Sequence, residues 1–383
     1  MTTLFSYAFR PFFLLVGGAA VVLIAGWGLH LANLLVWPDP LSAKIIHGHE
    51  MLLGYTGGAI AGFLLTAVAT WTGRPPVSGR LLMALCAAWI AARLGAWLPG
   101  SLGVVVWGLG SLLFWAGLLG LMAREVLGAR NTRNYKVLAL LLAFLVLEAI
   151  FFGTPGNPWV QEACLRAGLF LVLGMVSVVG GRIIPAFTQN WLRQMRPEIQ
   201  ARLPGFNRLD LAVVLITSVF AIGFGLWPLA AVTGWLGLIA GFAQAVRLAR
   251  WQGWLTAREP LLWILHVGYA WIPLGFLLLG LGILGEPPVL DRGLHALAYG
   301  AIGTLILGVA ARVALGHTGR PLQSFPAMTL AFVLISLGTL CRLLAPAMGA
   351  LLGLSVALWV LAYALFLLQY APILLRRGLK NAV

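Results

Sequence analysis

Residues 46–71 read IHGHEMLLGYTGGAIAGFLLTAVATW, and this stretch decides the fold. From 51 to 71 it carries no charged side chain. A helix rises about 1.5 Å per residue, so such a run reaches about 30 Å, the thickness of a bilayer's hydrocarbon core. The run opens with His47, His49 and Glu50. Ionisable groups at membrane depth are costly, which makes them functional candidates from the outset.

The rest of the chain has the same character. It has 383 residues, 61% of them hydrophobic and 9% charged. That excludes a soluble domain and predicts an all-α polytopic membrane protein, because in lipid a helix satisfies its own backbone. Twelve transmembrane helices are expected, at 12–36, 46–71, 80–98, 101–123, 135–153, 159–187, 208–227, 229–250, 259–284, 292–316, 324–344 and 350–375. Pro/Gly clusters separate them, among them Pro38-Asp39-Pro40, Gly73-Arg74-Pro75-Pro76 and Glu286-Pro287-Pro288.

The net charge of +15 raises a nucleic-acid reading, but the basic residues argue against it. They sit in alternate loops, as topology requires. Arg74, Arg130, Arg193, Arg258, Arg320 and Arg377 fall on one side; Lys44 and Arg292 fall on the other. The positive-inside rule then places both termini in the cytoplasm. The basic loop 189–207 lies on that side and reads as an anionic-lipid contact. Cys86, Cys164 and Cys341 lie inside apolar runs with no CxxC spacing, and read as packing residues.

His49 to Pro75 aligns without gaps on His295 to Pro321, with nine of 27 positions identical. The matches include His49/His295, Gly54/Gly300, Gly57/Gly303, Gly62/Gly308 and the block Thr72-Gly73-Arg74-Pro75 on Thr318-Gly319-Arg320-Pro321. A weaker echo in the sixth span matches Arg182 to Arg312, with Leu165 at the histidine position. Spans 2, 6 and 10 are four apart, which predicts three pseudo-repeated four-helix units, 1–134, 135–257 and 258–383, within one transmembrane domain. The haem–copper oxidase core resembles this in architecture, with haem-ligating histidines on helices 2 and 10.

Depth decides which histidines can share a site. His30, His47, His49 and His295 fall within roughly 10 Å of one level, on the outer side. His317 is 22 residues beyond His295, about 33 Å away. His266 also lies well below the cluster. His49 and His295, equivalent in the repeat, suit a bis-histidine haem. His47 points about 200° away from His49 on a regular helix. With His30 it could form a copper site, with Met51 or Glu50 as a further donor. Arg93, Arg166 and Arg342 lie at the level where haem propionates would need basic partners. The bland readings stand beside these: glycines for helix packing, His30 as an interfacial residue beside Trp27, and His317 as a helix C-cap.

These residues together resemble the NnrS family of haem- and copper-containing membrane proteins associated with the bacterial nitric oxide response. The likeness rests on Phe9-Arg10-Pro11-Phe12-Phe13, on His47-Gly48-His49-Glu50-Met51-Leu52-Leu53-Gly54, on His295 through Gly308 to Arg312, and on Gly316-His317-Thr318-Gly319-Arg320. It covers essentially the whole chain. It implies haem and copper as cofactors, nitric oxide or a related small molecule as ligand, and a place in the bacterial inner membrane. It also implies a role in tolerance of nitrosative stress and carries His47, His49 and His295 over as metal-site residues. It supplies no established reaction; an oxidoreductase or nitric-oxide-handling activity is the candidate. Spans 6 and 7 contain no histidine, so the three-histidine copper centre of the oxidases is missing. Two readings of other classes remain beside it. One is a twelve-helix secondary transporter, although the repeat pairs span 2 with span 10 rather than with span 8. The other is a metal-dependent sensor or assembly partner that uses the loop 189–207.

Overall fold

The computed structural model describes residues 3–37, 42–199, 202–285 and 287–379. The expected turns at Pro38–Pro40 and at Glu286 lie outside the described residues. All regular structure among the described residues is helical. In chain order the helices are α1 (Phe9–Leu31), α2 (Ala43–His49), α3 (Thr56–Thr72), α4 (Arg80–Gly95), α5 (Gly100–Gly128), α6 (Tyr135–Gly153), α7 (Pro158–Met195), α8 (Arg208–Leu226), α9 (Ala231–Ala249), α10 (Pro260–Leu284), α11 (Pro287–His295), α12 (Thr304–Gly316), α13 (Pro326–Leu344) and α14 (Ala350–Leu375).

Two π segments join these helices into longer spans. Glu50–Tyr55 connects α2 to α3, and Ala296–Gly303 connects α11 to α12. Counted through the π segments, eleven helices among the described residues are long and apolar enough to cross a membrane. This fits a multi-pass membrane protein. The expected span at 80–98 is the exception. Its helix stops at Gly95 after 16 residues, about 24 Å. It stops because Pro99 follows, and Trp97 turns in to pack on Trp37 with ring centroids 4.4 Å apart. Another departure runs the opposite way. The sixth span, expected to end at 187, continues to Met195 straight through Pro185. A proline costs one backbone hydrogen bond, and a helix already packed on both sides of it can carry that loss.

The chain divides into two compact units. The first is Met1–Gly168, Val313–Pro321 and Tyr363–Val383; the second is Leu169–Arg312 and Leu322–Ala362. In the first unit, large side chains fill the glycine positions of α3. A Cβ at Gly57 would lie 2.9 Å from the Trp115 ring, and one at Gly62 would lie 3.0 Å from Phe12 and Phe13. Phe9 to Phe13 is thus core, locked under α3. Tyr55 and Tyr363 meet hydroxyl to hydroxyl inside this unit. In the second unit, Phe170, Phe220, Phe224 and Phe276 form an aromatic cluster with centroids 5.2–6.2 Å apart. A Cβ at Gly237 would lie 3.0 Å from the Cα of Gly280, so α9 and α10 touch backbone to backbone there.

The two stretches related in sequence are alike in local structure. Each α-helix ends on its histidine, and a π segment begins at the next residue. Each span ends in a left-handed glycine, Gly73 with φ +67° and Gly319 with φ +68°. Before that glycine, Thr72 and Thr318 each donate a hydroxyl to the carbonyl four residues back, at 2.7 Å in both. The third echo lacks this construction, because α7 runs as an uninterrupted α-helix.

Candidate functional site

The site is built on the first π segment. A π turn holds an extra residue and is found disproportionately at functional positions. Here the Thr56 N–H reaches back five residues to Met51, and the Thr56 hydroxyl donates to the same carbonyl at 2.8 Å. The Gly54 carbonyl accepts from the Trp89 indole at 2.9 Å. The segment presents His49 and Glu50, side by side, to the inside of the first unit.

His49 is fully buried, and both of its ring nitrogens face carboxylates. Nδ1 lies 3.1 Å from Glu50 Oε1, and Nε2 lies 3.0 Å from Glu148 Oε2 on α6. The two carboxylates are themselves anchored by indoles. Trp107 donates to Glu50 and Trp115 donates to Glu148, each at 2.9 Å. Arg93 on α4 closes the row on Glu50 at 2.5 Å, as a close ion contact rather than an aligned hydrogen bond. Its guanidinium also lies over the Trp89 ring. Trp107, Phe151 and Phe152 wall the imidazole in, with centroids 4.6–5.3 Å away.

Carboxylates only accept hydrogen bonds. An imidazole between two of them therefore donates from both nitrogens, or one carboxyl carries a proton in its place. The row Glu50–His49–Glu148 holds two hydrogen-bonding protons in either arrangement. With Arg93 the four groups sum to zero charge, which is what lets them persist in a low-dielectric interior.

The other sequence-singled residues fall as follows. His30 and His47 are brought together by Trp27, whose ring stacks on His30 at 5.5 Å and on His47 at 4.3 Å. His30 Nδ1 lies 3.1 Å from the Leu35 carbonyl. That carbonyl fixes the proton on Nδ1 and leaves Nε2 as an acceptor. His47 and His49 serve different neighbours, as their spacing implies. Arg166 pairs with Glu162 at 3.6 Å, and Glu162 also takes Lys44 at 3.1 Å.

In the second unit, His295 Nδ1 lies 2.8 Å from the Asp291 carbonyl and 3.2 Å from its carboxylate. Its Nε2 lies 3.0 Å from Arg342, which also holds Asp291 at 2.9 Å. His295 thus carries its proton on Nδ1 and has an acceptor at Nε2. His266 bonds Thr188 at 2.9 Å. His317, beyond the end of α12, packs on Tyr7 and Phe9 at 5.5–5.6 Å. Burial lowers its pKa below the usual histidine value. The two family-like stretches at Phe9–Phe13 and Gly316–Arg320 therefore meet one another in the first unit.

A family model described as NnrS protein matches residues 3–377. The chain belongs to the NnrS family. A search among curated proteins finds no match.

The cofactors expected of an NnrS-like chain can be tested against these residues. A metal needs a ring nitrogen that bears no proton and has room in front of it. His49 offers none in this arrangement, because carboxylates occupy both nitrogens. The glycines beside it are not open either: a Cβ at Gly54 would lie 2.7 Å from the Arg93 guanidinium. The surroundings of His49 do not fit an axial haem ligand. At His295 the partner on Nδ1 orients the ring and Nε2 bears no proton, but Arg342 stands 3.0 Å in front of it, so this nitrogen takes a metal only with Arg342 drawn aside. His30 has the same tautomer. Among the described residues, no group of three or more His, Cys, Asp or Glu is placed to hold a metal ion.

Sequence reasoning missed the partners of His49. Glu148 lies 99 residues away, and Trp107 and Trp115 belong to another helix. The available signal was the rarity of acids, with Glu50 and Glu148 two of only ten in the chain.

Proposed function

We propose that this NnrS-family chain is a haem- and copper-binding protein of the bacterial inner membrane that acts in the response to nitric oxide. His295 carries the metal reading. Its Nδ1 proton is held by Asp291 and its Nε2 is an acceptor, the tautomer in which imidazole binds a metal. Arg342, already on Asp291, is the guanidinium at hand for an anionic group of the cofactor. A bound haem would supply an iron that takes a diatomic ligand. His30 and His47, gathered on Trp27, are the candidates for copper. Family membership supports the nitric oxide role.

Finer architecture belongs to the same proposal. It has twelve spans, with α4 the short one, arranged as three four-helix units. Both termini are cytoplasmic, and the histidine level is periplasmic.

The test is an ultraviolet–visible spectrum of the purified chain, oxidised and reduced, with copper analysis of the same sample. We expect a Soret band that shifts with nitric oxide. His295→Ala should lose or shift that band, whereas His49→Ala should keep it. A folded chain that carries neither metal when both are supplied during expression would overturn the proposal.

One observation favours a second reading, proton-coupled transport. The neutral row Glu50–His49–Glu148–Arg93 is the kind of buried ionisable group that couples protons to a substrate. Uptake into liposomes driven by a pH gradient, by a chain free of metal, would install that reading.

A further inference from the structure

The geometry points to a binding site for a membrane-dissolved quinone or quinol ring in the groove between α9 and α10, with His266 as its hydrogen-bonding residue.

The groove follows from how this helix pair is built. Over one half of their length α9 and α10 are zipped by glycines. A Cβ at Gly237 would lie 3.0 Å from Gly280, and one at Gly241 would lie 2.6 Å from Leu277. The zip ends where Pro273 interrupts α10, since proline has no N–H for the carbonyl four residues back. Beyond that point the pair lines a shallow, largely open groove of about 680 Å³. This is the size of a small-molecule site. Its far end is closed by the short 3₁₀ turn Gly253–Thr256.

The lining is selective. Ala245, Ala249 and Ala270 make much of the wall shallow, with Leu248 and Val267 as its branched side chains. Trp254 and Trp263 are the aromatic residues of the lining. His266 is the ionisable residue of the lining and is 93% buried, being 7% exposed. Its Nε2 is fixed by Thr188, and its Nδ1 is buried with no hydrogen-bond partner. A buried polar atom left unpaired calls for an explanation, and an absent ligand is one of the few available. Gly253 lies directly over that atom: a Cβ there would be 2.6 Å from Nδ1. Glycine is therefore the residue type that fits against the nitrogen, and a ligand that bonds Nδ1 meets the Gly253 backbone there with no Cβ in its way.

An occupant must be flat, apolar over most of its surface, delivered from the bilayer, and able to hydrogen-bond at one edge. A quinonoid ring with an isoprenoid tail meets all four conditions. A phospholipid acyl chain meets only the apolar condition and delivery from the bilayer, and leaves His266 unpaired.

The experiment is equilibrium binding of a benzoquinone carrying one isoprene unit to the full-length chain in detergent, by calorimetry. Wild type should bind with a single site. Ala270→Phe, which fills the groove from an exposed position, should abolish binding while leaving thermal stability unchanged. His266→Gln should weaken binding about tenfold, the loss of one buried hydrogen bond. Absence of binding in the wild type, or equal binding by Ala270→Phe, would overturn the assignment. So would a phospholipid that copurifies with the wild type, is lost from Ala270→Phe, and is not displaced by the quinone.

Discussion

Glu148 illustrates what one residue can hold in place. It faces His49 on one oxygen and Trp115 on the other, in a site from which water is excluded. Glu148→Ala would strip both donors of their acceptor and leave Glu50 and Arg93 beside an unbalanced imidazole. Removing one member of a buried charged set costs about 3–5 kcal/mol. We therefore expect Glu148→Ala to lower the thermal midpoint sharply in detergent. Glu148→Gln keeps the volume and one accepting oxygen, and should lose less. Equal midpoints for wild type and Glu148→Ala would show that the row contributes nothing to stability. The importance of His49 was legible in the sequence, because the repeat singled it out. Its chemistry was not, because the partners that decide it come from three other helices. His295 was the reverse: Asp291 is one turn away on the same helix, so its orienting partner could have been read from spacing alone.

At the scale of elements, the clearest agreement between sequence and structure is the turn Thr-Gly-Arg-Pro. Both copies end a helix, with glycine left-handed and threonine bonded back to its own helix. The left-handed conformation costs an L-residue about 1–2 kcal/mol. Gly73→Ala and Gly319→Ala should each destabilise by about that amount. Gly18→Ala serves as the control, since a Cβ there meets nothing within 4 Å. Thermal unfolding of the three variants checks this, and a loss in Gly18→Ala matching the other two would refute it. The π segments could not be read in advance. Composition is the same in α and π turns, and only the hydrogen-bond register differs. The length of α4 was also hidden, because the apolar run continues past Gly95 through Trp97 while the helix does not.

For the whole molecule, the short α4 sets a question of parity. Eleven crossings put the two ends of the chain on opposite sides of the membrane, and twelve put them on the same side. The proposed topology requires α4 to cross, with the bilayer thinned locally or flanking residues reaching outward. Reporter fusions at each end, read for periplasmic or cytoplasmic activity, should then agree; opposite readings would remove α4 from the set of spans. The charge distribution gives an expected orientation, since positive residues alternate between loops, but it does not count crossings. One consequence of the π segments concerns inheritance. Each differs from an ordinary helical turn by a single amino acid. Losing one residue between 51 and 55 would wind that turn back to α-helix with the residues on either side still facing as they do now, because the wider turn is what absorbs the extra residue. The same loss within the regular part of the span would turn everything before it by about 100°. In this protein a one-codon deletion inside the segment acts as a shortening that leaves His49 aimed at its two glutamates, and the same deletion a turn further on acts as a rotation.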